Sequence, residues 1–254
     1  MEINNPAFNY DKHGQKYSGQ RRTDPRIEKY VHQALGSAKT VLNVGAGAGS
    51  YEPIDKYVIA VEPSLAMRSQ RHGANKVPAM IGKADNLPFD DNSFDASMAM
   101  VTVHHWPDIK KGLKELRRVT RDQVIVLTFD PDALDHFWNV HYFPELIEVE
   151  KLRYPSIEFL TEALGGNCEV QHIPVPLDCV DGFQEAYYGR PEAFLEKEVR
   201  LAQSAWGFLS EEVEERLVKA LADDLKSGEW DRKFGEFRSK PNFTCALRLI
   251  IARP

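Results

Sequence analysis

No run in this chain of 254 residues approaches the roughly eighteen consecutive apolar positions that a membrane-spanning helix needs, so no membrane partner is expected. Cysteine is equally scarce. Cys168, Cys179 and Cys245 are odd in number and far apart, which gives neither a disulfide framework nor a metal-ligand cluster; the expectation is no metal and a reducing compartment. The opening "MEINNPAFNYDKHG" has no apolar core and reads as no secretory signal, so the expected location is cytoplasmic. Positive charge is not concentrated either. The net charge is -6, and the most basic pieces are "QRR" near residue 20 and "LKELRRV" at 113–119, the latter with the periodicity of a helix face. Nothing there supports a nucleic-acid partner, and a small molecule is the better default. Internal repeats and low-complexity segments are lacking as well, and oligomeric state leaves no trace in the sequence.

What is present is alternation. Residues 26–36 predict a helix with Ile27, Tyr30, Val31 and Ala34 on one side and Gly36 as its stop. "TVLNVG" is a short apolar strand, and "YVIAVEP" at 57–63 is another, followed by Ser64 as N-cap of "LAMRSQRHG". Further strands are predicted at 78–85, 94–106 and 122–129, with the helix "DIKKGLKELRRVT" before the last of these. Several strands are uniformly apolar, as in a parallel sheet covered on both faces, so the fold class is α/β. Residues 131–155 are aromatic-rich and resist assignment. "SIEFLTEALGG" then predicts a helix, "CEVQHIPVP" a late or edge strand, and "FTCALRLIIARP" a closing strand. Between those two strands, residues 183–240 carry helical patterning, with Ser210 as one N-cap, and are expected to cap the crevice beyond the carboxyl ends of the strands.

"VLNVGAGAGSYEP" places Gly45, Gly47 and Gly49 directly after the first strand. Missing side chains there allow positive φ and close approach of a ligand to the backbone. Glu62 ends the next strand, seventeen residues after Gly45, where a carboxylate can meet the two hydroxyls of a ribose. A dinucleotide turn spaces its glycines at one, three and six and opens a substantial helix; here they stand at one, three and five, and only "SYEPIDK" precedes the next strand. The ending of a phosphate-wrapping loop is missing too. A nucleoside without phosphates suits the site better than NAD or ATP. Asp85, in "GKADNLPFDDNSFD", offers an acceptor for a base edge, with Leu87 and Phe89 against the ring, or caps a turn; Asp95 is expected to make structural hydrogen bonds.

Together "VLNVGAGAGSYEP", "VIAVEPS", "GKADNLPFDDNSFDASMAMVTVHHW" and "LKELRRV" resemble the class I S-adenosylmethionine-dependent methyltransferases, in particular the small-molecule "methyltransferase type 11" branch related to ubiquinone/menaquinone biosynthesis enzymes. The likeness is close over residues 38–130. It implies a Rossmann-like, seven-stranded, mostly parallel sheet with helices on both faces, an antiparallel final strand and a helical cap inserted between the last two strands. The implied organisation is a lid segment at 1–25, a cofactor-binding core at 26–182, the cap at 183–240 and the final core strand at 241–254. The implied cofactor is S-adenosyl-L-methionine. Gly45, Ala46, Gly47 and Gly49 would wrap its methionine part, Glu62 and Pro63 would take the ribose, Asp85, Asn86 and Leu87 the adenine, and Val101 would border the cofactor. Where the family often has an acidic residue two positions before the first glycine, this chain has Asn43, which can still hydrogen-bond to the ammonium. A segment before the first helix often covers the cofactor in that family, which makes Tyr17 and Arg21 or Arg22 the lid candidates, an arginine there meeting a carboxylate.

The methyl acceptor is expected to be a small organic molecule, methylated on oxygen or carbon. His104 and His105 stand at the carboxyl end of the fourth strand with side chains pointing different ways, and His104, coming first, is favoured as general base, the bland alternative being a structural histidine. His105, Trp106, Phe137, Trp138, Tyr142, Tyr187 and Tyr188 are the candidates for the acceptor's wall. A non-catalytic nucleoside-binding module is the alternative, distinguishable by whether space for an acceptor remains beside the cofactor.

Overall fold

The computed structural model describes residues 17–71 and 76–254. The side chain of Tyr17 lies outside the described residues, so its predicted lid role has no structural counterpart here. In chain order, α1 (Tyr17–Gln20) and α2 (Pro25–Leu35) precede β1 (Thr40–Val44) and β2 (Tyr57–Val61), and α3 (Leu65–Gln70) leads to the two-residue β3 (Ala79–Met80). Next come β4 (Phe94–Met100), α4 (Ile109–Val119) and β5 (Thr120–Phe129). The aromatic stretch that resists assignment forms a 3-10 turn (Pro131–His136), α5 (Asn139–Tyr142) and α6 (Pro144–Arg153). α7 (Ile157–Leu164), β6 (Asn167–His172) and β7 (Val175–Pro176) follow. Short 3-10 turns, α8 (Lys197–Leu201), α9 (Glu211–Ser227) and α10 (Glu229–Phe234) then fill the interval to β8 (Asn242–Phe243) and β9 (Leu247–Arg253).

The seven-stranded sheet runs β3-β2-β1-β4-β5-β9-β6. β1 to β5 are mutually parallel where they pair, and β9 is antiparallel to both β5 and β6. β7 and β8 make a separate antiparallel ribbon at the root of the long helical insertion. One face of the sheet packs on Leu113, Leu116 and Leu160 from α4 and α7; the other receives Ile27, Val31 and Leu35 from α2. Burial on both faces is why these strands read as apolar runs in the sequence.

Local chemistry sets the ends. Asp24 caps α2 by accepting from the Arg26 amide at 2.9 Å, with Pro25 in the first turn. Ser64 caps α3 through the Met67 amide. Asp95 accepts the amides of Lys39 and Thr40, each at 2.9 Å, which pins the start of β1 to the start of β4; the Arg121 guanidinium on its other oxygen, with those amides, holds the carboxyl well below its usual range. One boundary differs from expectation. The fourth strand ends at Met100, not at residue 106, because Val101 adopts φ 51° and turns the chain out of the sheet into the 3-10 turn Val103–His105.

Candidate active site

β1 and β4 lie side by side at the centre of the sheet while their successors lie on opposite flanks, and the crevice at such a switch point is where open α/β sheets take ligands. The cleft there has about 1450 Å³ of empty space, open mouth included. Its floor is the glycine turn. Gly45 sits at φ +67°, and a Cβ on it would lie 2.1 Å from Thr102 Oγ1, so the close crossing of the β1 and β4 exits requires the missing side chain. The Gly47 amide donates to Glu62 Oε2 at 2.9 Å and the Ser64 amide to Oε1 at 2.8 Å. Glu62 thereby ties the two loops together, and each oxygen keeps a further lone pair for the cleft it lines. Burial raises its pKa, opposed by those two amides.

Behind the turn is a buried ionic support that sequence reading does not reveal. Arg71 Nη2 holds Glu52 at 2.7 and 2.9 Å, while Nη1 donates to the carbonyls of Ala46 and Gly47. Asn43 belongs to this support: its Nδ2 donates to Glu52 Oε1 at 2.9 Å, and it does not line the cleft. Gly49 likewise packs toward Glu52 and Arg71, outside the lining. Gly45, Ala46, Gly47, Glu62, Pro63 and Val101 all line the cleft. On the far side the lining comes from Gly82, Lys83 and Ala84, one step earlier than expected. Asp85 stands in the turn closed by the Lys83–Asn86 bridge, and Leu87 is drawn into the core with its amide on Glu115, so Asp85, Asn86 and Leu87 are outside the lining.

Arg21 lines the cleft and meets a carboxylate of the protein itself. Its Nε donates to Asp181 Oδ1 at 2.6 Å, and the Tyr51 hydroxyl donates to Oδ2 at 2.7 Å. Burial and the adjacent Asp181 raise the Tyr51 pKa, so this phenol stays protonated. Arg22 is exposed.

A second, inner cavity with about 590 Å³ of empty space, open mouth included, adjoins the cleft, and Arg21, Val101 and His105 belong to both walls. Its remaining wall combines rings (Phe129, Phe137, Tyr154, Phe183) with buried polar groups from α5, α6 and the 183–204 stretch. Val101, a β-branched residue at positive φ, stands at the junction; backbone held in so unfavourable a region is concentrated at functional sites. His104 is on the inner cavity wall alone, stacked between His105 and Tyr154 with ring centroids 3.9 and 4.1 Å away. His105, and not His104, borders the cleft as well as the inner cavity. Both imidazoles are driven well below their ordinary pKa by burial and by the nearby Arg153 and Arg21, so both are neutral at pH 7. Trp106 lines the cleft, and Phe137 the inner cavity.

Four expected wall residues are core instead. Trp138 donates from Nε1 to the Tyr188 carbonyl at 2.7 Å and packs against Tyr142, Phe143, Phe194 and Trp230. Tyr142 donates to Asp224 and Tyr188 to the Lys240 carbonyl, while Tyr187 lies under Arg190. None of the four lines either cavity. Polar residues took their place in the wall: Asn139, Glu150, Glu185 and Gln203, isolated in sequence and without periodicity, are invisible to a search for aromatic density.

A cleft over a glycine turn at the switch point of a mostly parallel sheet, with a carboxylate at the end of the next strand, defines a Rossmann-like ligand-binding fold. A family model described as a methyltransferase domain matches residues 42–128. Demethylmenaquinone methyltransferase of Corynebacterium urealyticum is 32% identical over 176 residues, 64% of this chain and 72% of that protein. An uncharacterised methyltransferase of Bacillus subtilis is 31% identical over 131 residues, 46% of this chain and 49% of that protein. The chain spans about half the length of the first curated relatives it matches. A solved structure from Anabaena variabilis, given as a candidate methyltransferase of an antibiotic biosynthesis pathway, superposes with TM-score 0.83 at 30% identity, covering 92% of this chain and 99% of that one. This chain belongs to the S-adenosylmethionine-dependent methyltransferase family, and its cofactor is S-adenosylmethionine. The site fits that cofactor: Glu62 offers the ribose an acceptor, and the turn from Gly45 to Gly47 lets a chain approach the backbone closely.

Among the described residues no group of His, Cys, Asp and Glu could hold a metal ion, and no helix is long and apolar enough to cross a membrane.

Proposed function

We propose that this protein transfers a methyl group from S-adenosylmethionine to oxygen or carbon of a small organic acceptor held in the inner cavity. The observation that carries this reading is the shared wall: Arg21, Val101 and His105 border both the cofactor cleft and the inner cavity, so a ligand in each would meet there. When bound, the cofactor supplies an electrophilic methyl on a sulfonium. The chain's own residues hold and align. Glu62 fixes the nucleoside, the Arg21–Asp181–Tyr51 group closes one side, and the inner wall orients the acceptor and excludes water. Of the expected lid segment, whose residues 1–16 lie outside the described residues, Arg21 closes one side of the cleft; 183–240 serves as cap, sharing its task with 131–154, which contributes Phe137, Asn139, Glu150 and Tyr154 to the same wall. A recessed acceptor site lined largely by buried residues and a net charge of -6 favour a small molecule over nucleic acid. The neutral His104 and His105 remain candidates for receiving a proton, with His105 the better placed.

Calorimetric titration with S-adenosylhomocysteine, NADH and ATP tests the cofactor half of this reading. S-adenosylhomocysteine is expected to bind at least about 100-fold more tightly than the others, a difference of about 2.7 kcal/mol. Equal NADH binding would remove the methyltransferase reading. A crystal soaked with S-adenosylhomocysteine tests the other half: the inner cavity should stay open beside the sulfur, and a cavity collapsed around it would favour a binding module without transfer.

A further inference from the structure

The inner cavity contains an unusual concentration of buried polar atoms with no hydrogen-bond partner among the described residues: His104 Nδ1, Asn139 Oδ1, Glu185 Oε2 and Gln203 Nε2. Each belongs to a side chain at least nine-tenths buried. Leaving such groups unpaired is costly, so four on one wall call for a bound partner that pairs them. Their other ends are fixed. Asn139 Nδ2 donates to Gln184 at 3.0 Å, Glu185 Oε1 accepts from the Ala246 amide at 2.7 Å, and Gln203 Oε1 accepts from Trp206 Nε1 at 3.3 Å. The orientation of the unpaired ends is therefore set by the protein before any ligand arrives.

Charge on this wall is already answered from within. Arg153 pairs with Glu150 at 3.3 Å and donates to Ser204, and Arg21 pairs with Asp181. Burial pushes the Glu185 carboxyl up to about 7, against the pull of the Ala246 amide and Arg248. An added anion would enter a low-dielectric space whose arginines are already paired, and a cation would meet a Glu185 carboxyl that burial holds toward its protonated form, so either charge is costly. Phe129, Phe137, Tyr154 and Phe183 supply flat apolar surface around these groups.

We infer that the inner cavity selects an uncharged, flat-ringed acceptor that carries at least one hydrogen-bond donor and one hydrogen-bond acceptor on its edge, with Glu185 and Gln203 as the residues that decide this specificity. The inference rests on the functional reading above and names the chemistry of its acceptor. Gln203 Nε2 donates to the ligand's acceptor, and Glu185 Oε2 and Asn139 Oδ1 take its donors.

The test uses four ring probes of similar size on the full chain, by saturation-transfer NMR titration with and without S-adenosylhomocysteine: neutral 4-hydroxybenzamide, anionic 4-hydroxybenzoate, cationic tyramine, and toluene. 4-Hydroxybenzamide is expected to bind about tenfold or more tightly than the other three. Glu185→Leu and Gln203→Leu should each weaken it about tenfold while S-adenosylhomocysteine affinity stays within about twofold, which also reports that the variant is folded. Glu185→Leu strands the Ala246 amide; should it fail to fold, Gln203→Leu and the four-probe comparison on the unaltered protein carry the result. Equal or tighter binding of the anion, the cation or toluene overturns the inference, as does indifference of the folded variants or no binding by any probe. If 4-hydroxybenzamide binds as expected while S-adenosylhomocysteine does not bind at all, the cavity's chemistry stands and the methyltransferase reading falls.

Discussion

The hydroxyl of Tyr51 donates to Asp181 Oδ2 at 2.7 Å, joining the loop that follows the first strand to the base of the helical insertion. Asp181 is buried, and its other oxygen holds Arg21 from the N-terminal segment. Backbone bonding reinforces the junction, with the Gly182 amide on the Gln20 carbonyl at 3.0 Å. Three segments distant in sequence thus meet on one carboxylate at the edge of the cofactor cleft.

Asp181→Ala would leave a largely buried guanidinium and a buried phenol without their partner. Breaking a buried pair from one side costs about 3–5 kcal/mol, whereas Tyr51→Phe removes a single hydrogen bond worth about 1 kcal/mol. Urea denaturation of both variants should return that order. S-adenosylhomocysteine affinity should fall further for Asp181→Ala as well, because Tyr51 and Arg21 both line the cleft. Equal stability of the two variants would mean that Arg21 draws nothing from Asp181.

The glycine turn allows a sharper test at one atom pair. In Gly45→Ala the new Cβ meets Thr102 Oγ1 at 2.1 Å and Cγ2 at 2.9 Å, and φ +67° disfavours any side chain. Calorimetry should show S-adenosylhomocysteine binding reduced at least about tenfold. Adding Thr102→Ala removes both clashing atoms and should restore part of the loss, the remainder being the backbone penalty. If the double variant binds no better than Gly45→Ala, the defect comes from φ alone.

How much of this was legible in the sequence follows from what each feature depends on. Strand order and the cleft depend on apolar runs, a glycine turn and Glu62 at a strand end, all of which are local patterns, and these are where the resemblance pointed. The misplacements share a different cause. Asn43 carries the right chemistry, but the buried Glu52–Arg71 pair takes it over, and no local signal links those residues. On an extended strand His104 and His105 are expected to point different ways, with His104 reaching the crevice first; the turn that Val101 imposes puts His104 on the inner cavity and His105 at the cleft. Trp138, Tyr142, Tyr187 and Tyr188 show that aromatic density marks apolar packing at least as readily as a binding wall. Asn139, Glu185 and Gln203 are legible only after folding, since their meaning is that burial leaves one end of each unpaired.

Glu185 also predicts a pH dependence of stability. Facing it are Arg248, which pairs with Asp130, the Cys245 thiol, and the amides of Ala246 and Leu247; Glu150, His104, His105, Arg21 and Arg153 approach the same cavity from the other elements. Burial is the dominant cause, lifting the carboxyl from an ordinary 4.5 to about 7 in the folded chain. Between those values the native state keeps the proton that the unfolded chain has released, so unfolding becomes easier as pH rises. The stabilisation is full below pH 4.5 and is lost by the time pH has passed about 7, a total of about 3 kcal/mol. Glu185→Gln keeps an acceptor for the Ala246 amide but has no proton to lose. Glu62, Glu150 and the two histidines titrate alike in both proteins and cancel in the comparison. Urea denaturation across pH 5 to 8 should therefore show the stability of Glu185→Gln rising relative to the parent by about 2–3 kcal/mol, most of it between about pH 5 and 7. A difference that stays flat across that window would place the Glu185 carboxyl in its ordinary range and leave it ionised against the cavity at neutral pH.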